Sequence, residues 1–285
     1  MTAETLIATD APASRQPQAR SASPFQGFYN YTLPHDYFGF LAPLGYRAPD
    51  ETMGLLRPWL REQQKVITDR PIRILDFFSG YGANGLMLRT GYSIPEISTL
   101  YAEGELSTHD FAKHRAFFAE QPIGPDQVEL YGLDIAPNAL AYAKATNVYQ
   151  QVFDDNLLEG PPSAALAQAV HNADIIIESG GHHEISAPII DGLLGAANPA
   201  RRPPLILSVA RDFDFQPIAE VLDRHDYRFR IAKPDFMLRR FADDAERARR
   251  QARNLELGQP VGGPLGDNVR YANLYWVEPA ETQAR

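Results

Sequence analysis

Apolar and polar positions divide the chain into three regimes. Residues 1–23 are rich in Ala, Thr, Ser, Pro and Gln without a sustained apolar period, a composition expected of a disordered tail. Between residues 24 and 70 the pattern changes. Phe25, Phe28, Tyr29, Tyr31, Tyr37, Phe38, Phe40 and Tyr46 crowd together around Pro34 and Pro43, which predicts an ordered aromatic segment rather than a linker. Residues 51–66 then read as a helix, with Met53, Leu55, Leu56, Trp59 and Leu60 available for an apolar stripe. Pro58 is expected to kink it or to mark a first turn.

From Pro71 onward, short apolar runs alternate with helix-length segments, the pattern of repeated β-α units on a mainly parallel sheet. Strands are predicted at 73–77, 128–133, 149–153, 174–178 and 205–209, and two later ones at 228–232 and 270–277. Helices are predicted between them at 84–89, 137–145, 163–171, 186–197, 216–225 and 243–257. One long insertion, residues 91–126, separates the first two strands. Residues 108–120 within it predict a helix carrying Phe111, His114, Phe117 and Phe118, a surface for packing, for ligand contact or for a homodimer. The expected fold is therefore α/β: a doubly wound, mainly parallel, seven-stranded Rossmann-like sheet spanning residues 71–285, with an N-terminal aromatic lid segment and a helical insertion after the first strand.

Composition narrows the function. The chain has 36 acidic and 27 basic residues, a net charge of −9, which disfavours a nucleic-acid partner through long-range repulsion of phosphates. The arginines at 239, 240, 247, 249, 250 and 253 alternate with Asp243, Asp244 and Glu246 and read as a solvated helix face. Cysteine is absent, so disulfides, thiolate metal sites and a thiol nucleophile are excluded. With no secretory apolar run and no 18-residue apolar stretch, a cytoplasmic protein without a membrane partner is expected.

The sharpest local signal is Asp76-Phe77-Phe78-Ser79-Gly80-Tyr81-Gly82-Ala83-Asn84-Gly85, which follows an apolar strand and precedes a helix. Gly80, Gly82 and Gly85 stand in G-x-G-x-x-G spacing, which lets a backbone approach a nucleotide-like ligand. By itself this is weak, since a structural glycine turn matches as well. Two features turn it away from dinucleotides. The next acidic strand end, Asp134, comes far later than the usual 20 or so residues, and Asp76 at the first strand end would repel a pyrophosphate while suiting a ligand ammonium.

Residues 74–85 together with Gly132-Leu133-Asp134-Ile135-Ala136-Pro137-Asn138-Ala139-Leu140 resemble the first two motifs of class I S-adenosylmethionine (SAM)-dependent methyltransferases. The resemblance runs from about Tyr31 to the last strand. It implies SAM as cofactor, held by Asp76, Ser79, Gly80, Tyr81 and Gly82 in the first turn. Asp134 would take the ribose hydroxyls, with Ile135 beside it. After the third strand, Asp155 and Asn156 are candidates to face the adenine; as Asp and Asn before Pro161 they also suit a turn or a helix cap.

The fourth strand ends in Glu178-Ser179-Gly180-Gly181-His182-His183-Glu184, at the edge where open α/β sheets bind ligands. Ser179 is a cofactor candidate and Gly180 a substrate one, while His182, His183 and Glu184, with Tyr31, are the candidates for catalysis. Imidazole titrates near neutral pH and accepts a proton from a hydroxyl or amine; surface or capping roles fit these side chains too. A metal is not expected, because adjacent histidines do not share a helix face. Tyr29, Tyr31 and Tyr37 are candidates for a lid around a sulfonium, although packing explains most such rings.

These features predict methyl transfer from SAM to a small-molecule acceptor, amino-acid-like or a specialised metabolite. Two alternatives stay open: cyclisation of SAM itself to azetidine-2-carboxylate and methylthioadenosine, and a non-catalytic SAM-binding interaction module. A nicotinamide-dependent dehydrogenase fits Asp76 and Asp134 less well.

Overall fold

Seven strands form one sheet in the computed structural model, which describes residues 29–121, 128–181 and 185–280. They are β1 (Ile72–Phe77), β2 (Val128–Leu133), β3 (Gln151–Phe153), β4 (Ile175–Glu178), β5 (Leu205–Ala210), β6 (Tyr227–Arg240) and β7 (Val269–Pro279). Their spatial order is β3-β2-β1-β4-β5-β7-β6. The first five run parallel, and β7 alone is antiparallel to both of its neighbours. This is the doubly wound, methyltransferase-type Rossmann-like sheet expected from the sequence.

Strand sequence explains why both faces are covered. In β1, Ile72 and Ile74 enter one core while Leu75 and Phe77 enter the other; Ile175 and Ile177 oppose Ile176 in the same way in β4. Alternate side chains leave a strand on opposite faces, so a continuous apolar run demands helices on both sides. One layer contains α1 (His35–Leu44), α2 (Ala48–Gln63), α3 (Ala83–Thr90), α4 (Ile94–Ala102), α5 (Phe111–Glu120) and α6 (Pro137–Ala145). The other contains α7 (Ala164–Asn172), α8 (Ala187–Ala196) and α9 (Gln216–Arg224). The charged stretch before β7 forms α10 (Asp244–Glu256).

Three departures from the sequence reading have local causes. The aromatic segment contains a helix, α1, with Pro34 at its N-cap and Gly45 ending it at φ 65°. The second helix begins at Ala48 rather than residue 51, because Pro49 occupies its first turn, where a missing N–H costs nothing, and Pro58 lies inside it. The insertion holds two helices, not one. The additional α4 opens with a capping box in which Ser93 and Glu96 satisfy each other's backbone amides. Both pack inward through Ile97, Tyr101 and Phe118.

Among the described residues no helix is long and apolar enough to cross a membrane. The predicted tail, residues 25–28 of the aromatic segment, the end of the insertion at 122–126, and His182, His183 and Glu184 lie outside the described residues.

Candidate functional site

The site is built where β1, β2, β3 and β4 end. β1 delivers Asp76, and the chain then turns sharply into α3. Phe78 adopts φ 58°, Gly80 φ 51° and Gly82 φ 88°. A phenylalanine in the left-handed region is a strained choice, and it is held by close packing: a Cβ on Gly181 would lie 2.1 Å from the Phe78 ring. At Gly80 a Cβ would lie 2.6 Å from the Tyr29 hydroxyl. Here only glycine admits the phenol.

The other two glycines serve a different purpose. Cβ atoms on Gly82 and Gly85 would lie 2.6 and 2.5 Å from the Val148 side chain. Their absence lets α3 sit against Val148 and Tyr149. Of the three spaced glycines, Gly80 lines the cavity and Gly82 does not.

Asp76 is also redirected. Its side chain is buried away from the cavity; Tyr149 Oη donates to Oδ2 at 2.6 Å and Asn84 Nδ2 to Oδ1 at 2.9 Å. Burial pushes its carboxyl up to about 7 in spite of those two donors. Asn84 links it onward, since Ser179 Oγ donates to Asn84 Oδ1 at 3.0 Å, and Tyr46 Oη donates to the Ser179 carbonyl at 2.5 Å. Asp76 itself does not line the cavity, but Asn84 and Ser179, to which it is linked, do. Glu178 lies buried below as well. The amides of Gly181 (2.6 Å) and Ser208 (3.0 Å) donate to it, yet burial pushes it up to about 8.

Asp134 occupies the end of β2. Gly80 N and Tyr29 Oη donate to its Oδ2 at 2.8 and 2.7 Å, and Ala136 N donates to Oδ1 at 2.8 Å. Burial raises its pKa against these hydrogen bonds. Ile135, beside it, lines the cavity and is largely exposed.

Together these groups surround a cavity of about 430 Å³, within the size range of small-molecule sites. It runs along the sheet edge from Asp155, Asn156, Leu157 and Leu158 after β3, past Asp134 and the Gly80 turn, to Ser179, Gly180 and Gly181 after β4. Tyr29, Tyr37, Leu41, Tyr46 and Pro49 cover it. The rings of Tyr29, Tyr37 and Tyr81 approach one another with centroids 5.4 to 6.1 Å apart. Burial raises the pKa of both Tyr29 and Tyr37, so they remain neutral phenols. No described residue lining the cavity is cationic, whereas Asp134 and Asp155 are acidic.

Asp155 and Asn156 reach the rim with their side chains engaged in turn chemistry. Ser163 N donates to Asp155 Oδ1 at 2.5 Å; Leu158 N donates to Asn156 Oδ1 at 3.1 Å, and Asn156 Nδ2 to Glu159 at 2.7 Å. Tyr31 does not line the cavity. The residue is 47% exposed, and its contribution is a carbonyl that accepts from Tyr81 Oη at 2.9 Å. Asn84, Tyr149, Phe78, Tyr46 and Glu178 are not among the site residues expected from the sequence, although Phe78, Asn84 and Glu178 stand within the expected motifs. For Phe78 a signal was available, since it occupies a tight strand-to-helix turn; Tyr149 and Tyr46 come from distant segments and had none.

No family model matches the chain, and no curated protein matches it by sequence. Among solved structures the chain is similar to the magnesium protoporphyrin IX methyltransferase of Synechocystis with bound SAM, at 12% identity over 82% of this chain and 80% of that one, TM-score 0.41. It is similar also to a TehB-like SAM-dependent methyltransferase from Corynebacterium glutamicum, at 12% identity over 80% of this chain and 98% of that one, TM-score 0.37. A third is the plantazolicin methyltransferase BpumL in complex with SAH, at 12% identity over 82% and 85% of the two chains, TM-score 0.41. At this degree of likeness no residue role or substrate is transferred from them.

Proposed function

We propose that this chain binds SAM along the edge of β3, β2, β1 and β4 and transfers its methyl group to a small-molecule acceptor. The observation that carries this is an acidic, aromatic cavity with Asp134 at the β2 end and no described cation on its walls. A sulfonium nucleoside suits such walls. Aromatic faces attract a cation by roughly 0.5 to 2 kcal/mol, depending on desolvation, and the carboxylates supply complementary charge. In this reading the ribose hydroxyls meet Asp134, the adenine lies toward Asp155 and Asn156, and the methionine part lies over Ser79, Gly80 and Ser179.

When bound, SAM supplies an electrophilic methyl group; the protein's part is to orient it and to exclude water. Tyr37, Leu41, Tyr46 and Pro49 line the cavity as well. They suit a neutral, largely apolar acceptor better than a carboxylate-bearing one. His182, His183 and Glu184, which follow Gly181 in sequence, are proposed to position the acceptor or remove its proton.

The cavity volume favours retaining a second reading. At about 430 Å³ a nucleoside-sized ligand leaves little space for another molecule, so cyclisation of SAM, with methylthioadenosine as the leaving product, is the alternative chemistry. Incubating the protein with SAM, with and without a panel of small acceptors, and following products by mass spectrometry separates the cases. Acceptor-dependent S-adenosylhomocysteine is expected. Methylthioadenosine formed without an acceptor would replace methyl transfer by cyclisation; binding without turnover would indicate a SAM-binding module. Absence of SAM binding would overturn all three.

A further inference from the structure

A carboxylate offers about four lone-pair positions, and three of those of Asp134 are already taken, two on Oδ2 and one on Oδ1. The amides of Gly80 and Ala136 donate at 2.8 Å each, and the Tyr29 phenol donates at 2.7 Å. A diol brings two further donors. The two amides belong to the turns after β1 and β2 and cannot withdraw without dismantling the sheet edge. Tyr29 is the one donor on a separable segment.

That segment is fastened at each residue. Beyond the Tyr29 phenol, Asn138 N donates to Asn30 Oδ1 at 2.7 Å and Asn138 Nδ2 to the Asn30 carbonyl at 2.8 Å, while Tyr81 Oη donates to the Tyr31 carbonyl at 2.9 Å. Asn30 has φ 79°, a turn conformation that Asn tolerates. The Tyr29 hydroxyl also rests against the face of Gly80 that a side chain would otherwise occupy.

We propose that residues 29–31 form a strap in which the Tyr29 hydroxyl stands on Asp134 in place of a ligand hydroxyl, so that a nucleoside with a vicinal diol binds by displacing it. This rests on the assignment of Asp134 to the ribose. The strap keeps the buried carboxylate hydrogen-bonded before ligand arrives, at the cost of competing with that ligand. Removing the phenol hydroxyl should therefore tighten binding, the reverse of what a supporting contact would do.

Calorimetric titration of the wild-type chain and Tyr29→Phe with S-adenosylhomocysteine and with its 2′,3′-dideoxy analogue tests this. Tyr29→Phe is expected to bind S-adenosylhomocysteine roughly fivefold more tightly, the equivalent of one modest hydrogen bond, with no gain for the dideoxy analogue. Asn138→Ala, which removes one of the Asn30 contacts outside the cavity, is expected to shift affinity in the same direction by a smaller factor. If wild type binds and Tyr29→Phe binds equally or more weakly, the strap proposal falls while the SAM assignment stands. If no form binds S-adenosylhomocysteine, the SAM assignment falls and takes the strap with it.

Discussion

The same edge of one sheet buries carboxylates in two opposite ways. Around β5, β6 and β7 each has a cation. Arg239 donates twice to Glu246, at 2.9 and 2.5 Å; Arg270 grips Asp212 through two bonds of 3.0 and 2.9 Å, and Arg250 adds a contact to Asp212 at 3.1 Å. Around β1, β2 and β4, Asp76, Asp134 and Glu178 are equally buried but are held by amides, hydroxyls and an asparagine. Glu246 is pulled down to about 2, with Arg239 prevailing over the burial that opposes it, whereas burial pushes Asp76 and Glu178 up to about 7 and 8.

The difference separates structure from function. Paired charges at β6 dock α10, whose buried side chains are Glu246 and Asn254 rather than an apolar stripe. Cation-free carboxylates at β1 and β4 are costly to the fold, and such perturbed groups beside a cleft mark candidate functional sites. A cationic ligand bound in the cavity would provide part of the missing charge.

The largest test of this contrast is Glu246→Ala. Removing one member of a buried ion pair typically costs about 3 to 5 kcal/mol, and chemical denaturation should show a loss of that order for the folded chain. Next is Asp134→Asn, which replaces a charged acceptor by a neutral amide. With charge-assisted hydrogen bonds contributing about 1.5 to 3 kcal/mol each, calorimetry should show SAM affinity falling roughly 100-fold, and the midpoint of unfolding should fall as well because the new amide NH2 faces a backbone donor.

pH sharpens the comparison further. The raised pKa values of Asp76 and Glu178 mean that the folded chain retains protons which the unfolded chain has released above its ordinary carboxylate range. Their stabilising contribution is full at acid pH and is lost as pH rises through about 7 and 8. Glu246 has the opposite sign: its contribution is present above the ordinary carboxylate pKa and is lost as pH falls toward 2. Thermal unfolding midpoints should thus decline from pH 5 to pH 8.5, and Asp76→Asn should flatten that decline while leaving the acid limb in place.

The smallest expected effect concerns the rings. Tyr37→Leu should weaken SAM by roughly three- to tenfold through loss of a cation–π contact, with little effect on S-adenosylhomocysteine, whose thioether is neutral. Equal weakening of both ligands would assign Tyr37 to packing alone.

Much of the scaffold was legible because each strand carries its own instruction. An apolar run ending in a polar, glycine-rich turn reads as a buried parallel strand whether or not its neighbours are known, and β2 and α6 match the predicted spans at both ends. Edge and cap effects were less visible. β6 runs to Arg240, well past the predicted end at 232, through Lys233, Pro234, Asp235 and Arg239, because an edge strand pairs on one side only and tolerates a proline and register shifts.

The sequence alone determined the order of β-α units, the turn after β1 and the acid at the end of β2, since local periodicity, glycine placement and strand-end position are all properties of contiguous residues. Tertiary structure decided what those residues face. The Tyr149 hydroxyl on Asp76, 73 positions away, and the Tyr29 hydroxyl on Asp134, 105 positions away, arise from packing between distant segments. So does the division of the three G-x-G-x-x-G glycines into one that admits a phenol and two that admit Val148 and Tyr149. Spacing records where a side chain is missing; only the assembled neighbours show what fills the space.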